Sequence, residues 1–249
     1  MVTGGGRGIG AAIARALAER GANVALLGRD EAALESHARD LAQTLDIRAI
    51  AVPCDVSDAD AVRRAFEDVE TQLGPTDTLV NNAGQSAGIP FQDTTQSLWE
   101  RMLAVNLTGT FLCTQAVVPG MTAAGHGRIV NVASTAGLRG YSHTAAYCAA
   151  KHGVVGFTRA LAIELGKTGV TVNAVCPGYT DTDMARAAVD NLVRAGRSPE
   201  EALRALTRGM PIGRLIRPDE VAAAVAWLCM PEAAAVTGET VVVAGGEVT

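Results

Sequence analysis

A glycine-rich run, Thr3-Gly4-Gly5-Gly6-Arg7-Gly8-Ile9-Gly10, lies between an apolar stub, Met1-Val2, and an alanine-rich amphipathic segment that ends at Arg20-Gly21. Strand, glycine turn and helix in that order leave few folds open. Glycine lets the backbone turn sharply and come close to a bulky anion, and a helix start offers free N–H groups and a positive dipole end. The spacing is T-G-x-x-x-G-x-G, carried by Thr3, Gly4, Gly8 and Gly10, with Gly6, Arg7 and Ile9 filling the loop. It departs from the common G-x-G-x-x-G fingerprint, yet the ligand such a turn serves is again a pyrophosphate.

The same unit then recurs. Apolar strands are predicted at Asn23 to Leu27, Arg48 to Pro53, Thr78 to Val80, Arg128 to Ala133, Val170 to Cys176 and Thr240 to Val243, separated by helical patterns. Strands apolar throughout are covered on both faces. With the opening stub, the pattern predicts an α/β, Rossmann-like, doubly wound parallel sheet of seven strands. A chain of 249 residues suits a single domain spanning 1–249. The opening strand is the weak place, because two residues in mid-sheet forfeit ladder bonds. Either the start of the chain is trimmed or this strand is unusually short.

Sheets of this kind bind ligands at the carboxyl ends of their strands, where the polar turns of this chain fall. The second strand ends at Gly28-Arg29-Asp30, so glycine fills the slot where an acidic side chain would take a ribose 2′-hydroxyl. Arg29 and Arg7 supply cations instead, which favours NADP(H) and leaves NAD(H) open. Asp30 is placed to cap the next helix. Asp55-Val56 follows the third strand, where a carboxylate meets an adenine amino group or merely caps a turn. Ser57 and Asp60 resemble a capping box for a helix ending at Gly74-Pro75. The fourth strand delivers Asn81-Asn82-Ala83-Gly84.

Two further helices carry candidate chemistry. One, from Ser97 to Val118, holds Asn106 in its apolar middle, as a satisfied core amide or a functional one. The other, from Thr144 to Gly166, holds Tyr147 and Lys151 four residues apart, hence on one face. A lysine cation beside a phenol favours the phenolate and lowers a pKa that is ordinarily near ~10. A half-buried ring with a snorkelling lysine has the same spacing. Ser134, at the end of the fifth strand, and Pro177-Gly178-Tyr179-Thr180-Asp181-Thr182, at the end of the sixth, complete the polar ends.

Taken together, the glycine loop, Asn81-Asn82-Ala83-Gly84, the tetrad Asn106, Ser134, Tyr147 and Lys151, and Pro177-Gly178 resemble the short-chain dehydrogenase/reductase family, in the family's order and over essentially the whole chain. The resemblance implies hydride transfer between NADP(H) and a carbonyl or secondary alcohol. Tyr147 would exchange the proton and Ser134 would hydrogen-bond the same oxygen. Lys151 would lower the Tyr147 pKa and hold the nicotinamide ribose. Asn106 would kink its helix and anchor a water leading to Lys151. Pro177 and Gly178 would let backbone pass the nicotinamide, with Thr180 and Thr182 beside it. Ala133 to Gly137, Tyr147 to Thr158 and Val172 to Gly178 look like 3-ketoacyl-thioester reductases and polyketide ketoreductases. The family also implies a homotetramer, with subunit contacts near Gly245 to Thr249.

Composition excludes more than it identifies. A net charge of −5 argues against a general nucleic-acid binder. No leader and no run of about 18 apolar residues is evident, so no membrane partner is expected and a cytoplasmic location is. Neither the five cysteines nor the four histidines have metal-ligand spacing. Ala185 to Arg217 is the least regular stretch, two short helical patterns between the sheet and its last helix, and is expected to form a substrate lid. Seven arginines against three acids make it +4, leaving −9 on the remainder. Such a lid suits an anionic small-molecule substrate such as a coenzyme A or acyl-carrier-protein thioester, or is a solvated face. An alcohol dehydrogenase for a cyclic or aromatic alcohol and an idle nucleotide-binding scaffold are the alternatives.

Overall fold

Every residue of β5 (Gly127–Val132) and β6 (Val170–Pro177) is buried, which only a strand covered on both faces achieves. The computed structural model describes residues 1–248. Around that pair stand β1 (Val2–Thr3), β2 (Val24–Gly28), β3 (Ala49–Pro53), β4 (Thr78–Asn81) and β7 (Thr240–Val243). All pairs are parallel, in a seven-stranded sheet of order β3-β2-β1-β4-β5-β6-β7. The order reverses between β1 and β4, which opens a crevice at the carboxyl ends of those two strands.

Alternation along each strand sorts its side chains to opposite layers. Val24 and Leu26 face α1 (Gly8–Ala18), α2 (Glu31–Thr44) and α9 (Pro218–Leu228), where Ile13, Leu34 and Val225 are buried. Ala25 and Leu27 face α3 (Ala59–Leu73), α5 (Gly109–Ala124) and α6 (Ala145–Leu165), against Phe66, Cys113 and Leu165. Short β1 is secured at both sides. Val2 pairs with Leu26 and with Val80, and Val80 N also donates to the Met1 carbonyl at 2.9 Å. A polar chain crosses the sheet beneath the site. Asn81 Nδ2 donates to Asn131 Oδ1 at 2.9 Å, and Asn131 Nδ2 donates to Thr158 Oγ1 at 2.9 Å.

Two expected elements differ. The segment predicted as one helix from Ser97 to Val118 is α4 (Gln96–Leu103), a π-turn (Ala104–Thr108) and then α5, which runs on past Pro119 to Ala124. By length and composition this stretch could cross a bilayer, but Leu98, Met102, Cys113, Val117 and Met121 are buried within the fold. Ser57 and Asp60 make no capping box. Asp58 caps α3, accepting from Asp60 N and Ala61 N, because the Ser57 hydroxyl is committed to Asp55 at 2.6 Å. Asp30 caps α2 as expected, through Ala33 N. The Ala185 to Arg217 stretch contains most of α7 (Asp183–Arg194) and α8 (Pro199–Thr207), the latter with Ser198 and Glu201 as a true capping box.

Candidate active site

The carboxyl ends of β1 to β6 open into one cavity of about 1070 Å³. Its nucleotide end is made by the glycine loop. Gly4 and Gly8 adopt φ of +65° and +55°, a region L side chains rarely enter. Gly10 is constrained by space instead, since a Cβ there would lie 2.1 Å from the Gly4 carbonyl and 2.5 Å from Asn82 Nδ2. Asn82 fastens the loop to β4, donating from Nδ2 to the Thr3 carbonyl at 2.9 Å. No side chain caps α1 and no acid sits in its first turn, unlike α2 and α3. An uncapped, unshielded helix start beside a cradle that only glycine fits suits a pyrophosphate.

Further along, Arg29 stands 70% exposed at the rim with its guanidinium 3.9 Å from Asp55. The Asp55 carboxyl is held below its ordinary pKa, first by the Ser57 hydroxyl and then by the Ser57 amide, with Arg29 contributing. Gly28, Arg7, Val56, Ala83 and Gly84 line the same cavity. Thr182 closes it from the far side. A Cβ on Gly8 would lie 3.2 Å from its methyl group, so α7 begins directly over the loop.

At the other end, Ser134, Tyr147, Lys151, Pro177, Gly178 and Thr180 line the cavity. Lys151 is 4% exposed, and its Nζ donates to the Val132 carbonyl at 2.8 Å while lying 5.8 Å from the Tyr147 ring centre. Burial lowers its pKa to about 8. Tyr147 is likewise governed by burial, which pushes its pKa up to about 12 against the pull of the Ser134 hydroxyl. The expected acidification of Tyr147 by Lys151 is therefore not found among the protein's own groups. Desolvation outweighs a cation whose donor is turned to a backbone oxygen.

Two residues of the expected site, Thr3 and Asn106, lie behind the wall. Thr3 is 2% exposed, and its hydroxyl accepts from Asn82 N and Ala83 N, both at 2.9 Å, so it joins the glycine loop to β4. Asn106 is fully buried. Its amide donates to the carbonyls of Gln85 at 2.9 Å and Met102 at 3.0 Å and accepts from Gln85 N at 3.2 Å. The π-turn is the kink, and it brings this amide against Gly84. A Cβ there would meet Asn106 Oδ1 at 2.8 Å and Lys151 Nζ at 3.6 Å.

Other cavity residues had no role assigned from the sequence. Thr135, Tyr141 and Tyr179 line it, so all three tyrosines of the chain meet here. The scarcity of tyrosine was the available signal. Nothing local marks Val132, whose contribution is a backbone oxygen, or Glu247, which packs behind Tyr141.

The cationic surplus expected of residues 185–217 is also revised. Over residues 181–220 seven arginines meet seven acids. Arg186 pairs with Asp181 and Asp183, Arg204 with Glu200, Arg214 with Glu220, and Arg217 with Asp219 and Glu220. Among the described residues Arg194, Arg197 and Arg208 have no carboxylate partner, so the charge is largely balanced in place.

Comparison with known proteins agrees with this geometry. Residues 4–247 match a family model described as enoyl-(acyl carrier protein) reductase. The chain is 42% identical to an acetoacetyl-CoA reductase of Shinella zoogloeoides, over 99% of this chain and 97% of that one. It is 40% identical to the 3-oxoacyl-[acyl-carrier-protein] reductase FabG of Vibrio cholerae, over 99% and 95%. A crystal structure of a tryptophan variant of actinorhodin polyketide ketoreductase with NADPH superposes with a TM-score of 0.94 at 42% identity, covering 99% of this chain and 95% of that one. With the glycine cradle, the serine, tyrosine and lysine in one cavity, and relatives that match it from end to end, the chain belongs to the short-chain dehydrogenase/reductase family.

Proposed function

We propose that the chain uses NADPH to reduce the 3-keto group of an acyl thioester. The observation that carries this reading is the convergence of Ser134, Tyr147 and Lys151 at one end of the cavity whose other end is the glycine cradle. Bound there, NADPH would supply the hydride and, once oxidised, a ring cation that favours the Tyr147 phenolate. The protein's part is positioning and proton delivery. Tyr147, kept protonated by its burial, gives its proton to the oxygen formed from the ketone. Ser134 hydrogen-bonds that oxygen and holds it in place. Lys151 binds the nicotinamide ribose, and Asn106 sets the height of Gly84 and of the π-turn beside it. Gly4, Gly6, Gly8, Ile9 and Gly10 hold the pyrophosphate, Arg7 and Arg29 the 2′-phosphate, and Asp55 and Val56 the adenine. Ala83, Pro177, Gly178, Thr180 and Thr182 frame the nicotinamide.

The residue 185–217 segment acts as the lid, since Ala185, Ala188, Leu192 and Leu206 contribute to the cavity wall. The thioester substrate is supported by the activities named for the relatives rather than by charge, which the lid largely neutralises. Exposed apolar groups on the outer face of α5 and α6 support a homotetramer. Phe111 is 42% exposed and packs edge-to-face on Phe157, and Ile163 is 85% exposed. The free, mostly buried cysteines support a reducing, cytoplasmic location.

A cyclic or aromatic ketone is the second reading, favoured by the tyrosine-lined wall. Purified chain with acetoacetyl-CoA or α-tetralone, each with NADPH and NADH, separates them. Thioester turnover that prefers NADPH is expected. Turnover of tetralone alone would transfer the assignment to the second reading, and no turnover of either would end the enzymatic one.

A further inference from the structure

Behind the catalytic wall lies a buried acid that the tetrad does not use. The Glu247 side chain is 2% exposed, and its Oε1 takes a hydrogen bond from Arg139 Nη2 at 3.2 Å and from the Tyr141 hydroxyl at 2.7 Å. Arg139 also donates to the Glu247 carbonyl at 3.3 Å, and its guanidinium sits 4.6 Å above the Tyr141 ring centre. The Tyr141 oxygen is 2.7 Å from Thr135 Oγ1 as well. One phenol has one proton. Charge favours giving it to the carboxylate, which leaves the Tyr141 oxygen to accept from Thr135. Thr135 is the neighbour of Ser134. Tyr141 in turn stands edge-to-face with Tyr179, ring centres 6.4 Å apart, and both rings line the cavity.

This arrangement is poorly suited to stability alone. Among the described residues the second carboxylate oxygen, Oε2, is buried without a hydrogen-bond partner, and Arg139 is 45% exposed, so the ion pair is half solvated. An acid buried at such a disadvantage, over a hundred residues in sequence from the phenol it holds, fits a geometric role better than an energetic one.

We propose that Glu247 is a positioning residue for substrate: by holding the Tyr141 hydroxyl it locks the Tyr141 and Tyr179 rings into a rigid wall against which the acyl portion of the ketone packs. Tyr141 is then a substrate-contacting residue that sets affinity for the ketone and leaves the nucleotide end untouched. This rests on the ketone-reductase reading above.

The test is a double-mutant cycle of Tyr141→Phe and Glu247→Gln, assayed with acetoacetyl-CoA and α-tetralone. Each single variant should raise KM for the ketone about tenfold while kcat and the NADPH dissociation constant stay within about threefold of wild type. The double variant should be no worse than the poorer single one, because Tyr141→Phe removes the hydrogen bond whose strength Glu247→Gln lowers by removing the carboxylate charge. Tyr141→Phe keeps the ring and loses only the hydroxyl, so it carries the test should Glu247→Gln unfold. Unchanged KM in Tyr141→Phe, fully additive effects, or NADPH affinity lost in step with KM would each overturn the proposal. A wild-type chain inactive on both ketones would overturn the ketone-reductase reading, and the role of Glu247 with it. That result is recognisable because it involves no variant.

Discussion

Lys151 donates to the carbonyl oxygen of Val132 across 2.8 Å, so its buried ammonium is tethered to the end of β5 rather than aimed at the Tyr147 phenol. The bond spans α6 and the sheet, and it fixes the height of the whole Tyr147 face against Ser134. A buried ammonium also leaves a thermodynamic signature.

Its pKa falls from 10.5 to about 8 on folding, so the unfolded chain holds that proton more tightly. The resulting destabilisation is complete below about pH 8 and fades as pH rises toward the unfolded value. Relative to Lys151→Met, wild type should therefore gain roughly 2 kcal/mol between pH ~7 and pH ~9.5, read from urea unfolding at both pH values. The comparison must be a difference. Burial pushes the Cys54 thiol to about 11 and the Cys229 thiol to about 12, and ionisation of these groups in the unfolded state weakens both chains alike. A gap that stays constant with pH would mean Lys151 is not buried as a cation.

Tyr147→Phe removes the proposed proton donor and little volume. Turnover should fall by roughly two to four orders of magnitude, with NADPH affinity unchanged in a direct binding titration. A variant that retains wild-type turnover would assign the proton to another group.

Gly10→Ala should fail for lack of space. A Cβ 2.1 Å from the Gly4 carbonyl must displace the loop, at about 1–3 kcal/mol of stability and at least about a tenfold loss of NADPH affinity. Gly21 is the control. It has φ of +85° with nothing near its missing Cβ, so Gly21→Ala should lower the melting temperature and spare nucleotide binding.

Arg29→Asp tests cofactor choice. Its ion pair with Asp55 is exposed and long, so stability should barely change. The kcat/KM with NADPH should drop at least about tenfold, while that with NADH holds or rises. Equal losses with both cofactors would make Arg29 structural.

The alternation of elements was legible because strands such as β5 and β6 carry apolar residues on both faces, a pattern that survives without knowledge of partners. Ser134, Tyr147 and Lys151 were legible through order and spacing. What escaped was partnership. The Thr3 hydroxyl could as well have faced a phosphate, and only the fold shows Asn82 and Ala83 consuming it. The 185–217 stretch read as cationic because it stopped at Arg217, just short of Asp219 and Glu220, which answer its arginines. Glu247 and Tyr141 are 106 residues apart, and no local pattern links them.

The turn at Ala104–Thr108 holds one residue more than a regular coil would seat. Excising a residue there would let the helix straighten with its two halves still facing their own cores, and only the turn itself would change. The Asn106 amide would swing away from Gln85 and Gly84, while the cores on either side stayed well packed. A redesign that tidied this irregularity for thermal tolerance would thus produce a sturdier protein with a misaligned floor beneath its reaction centre.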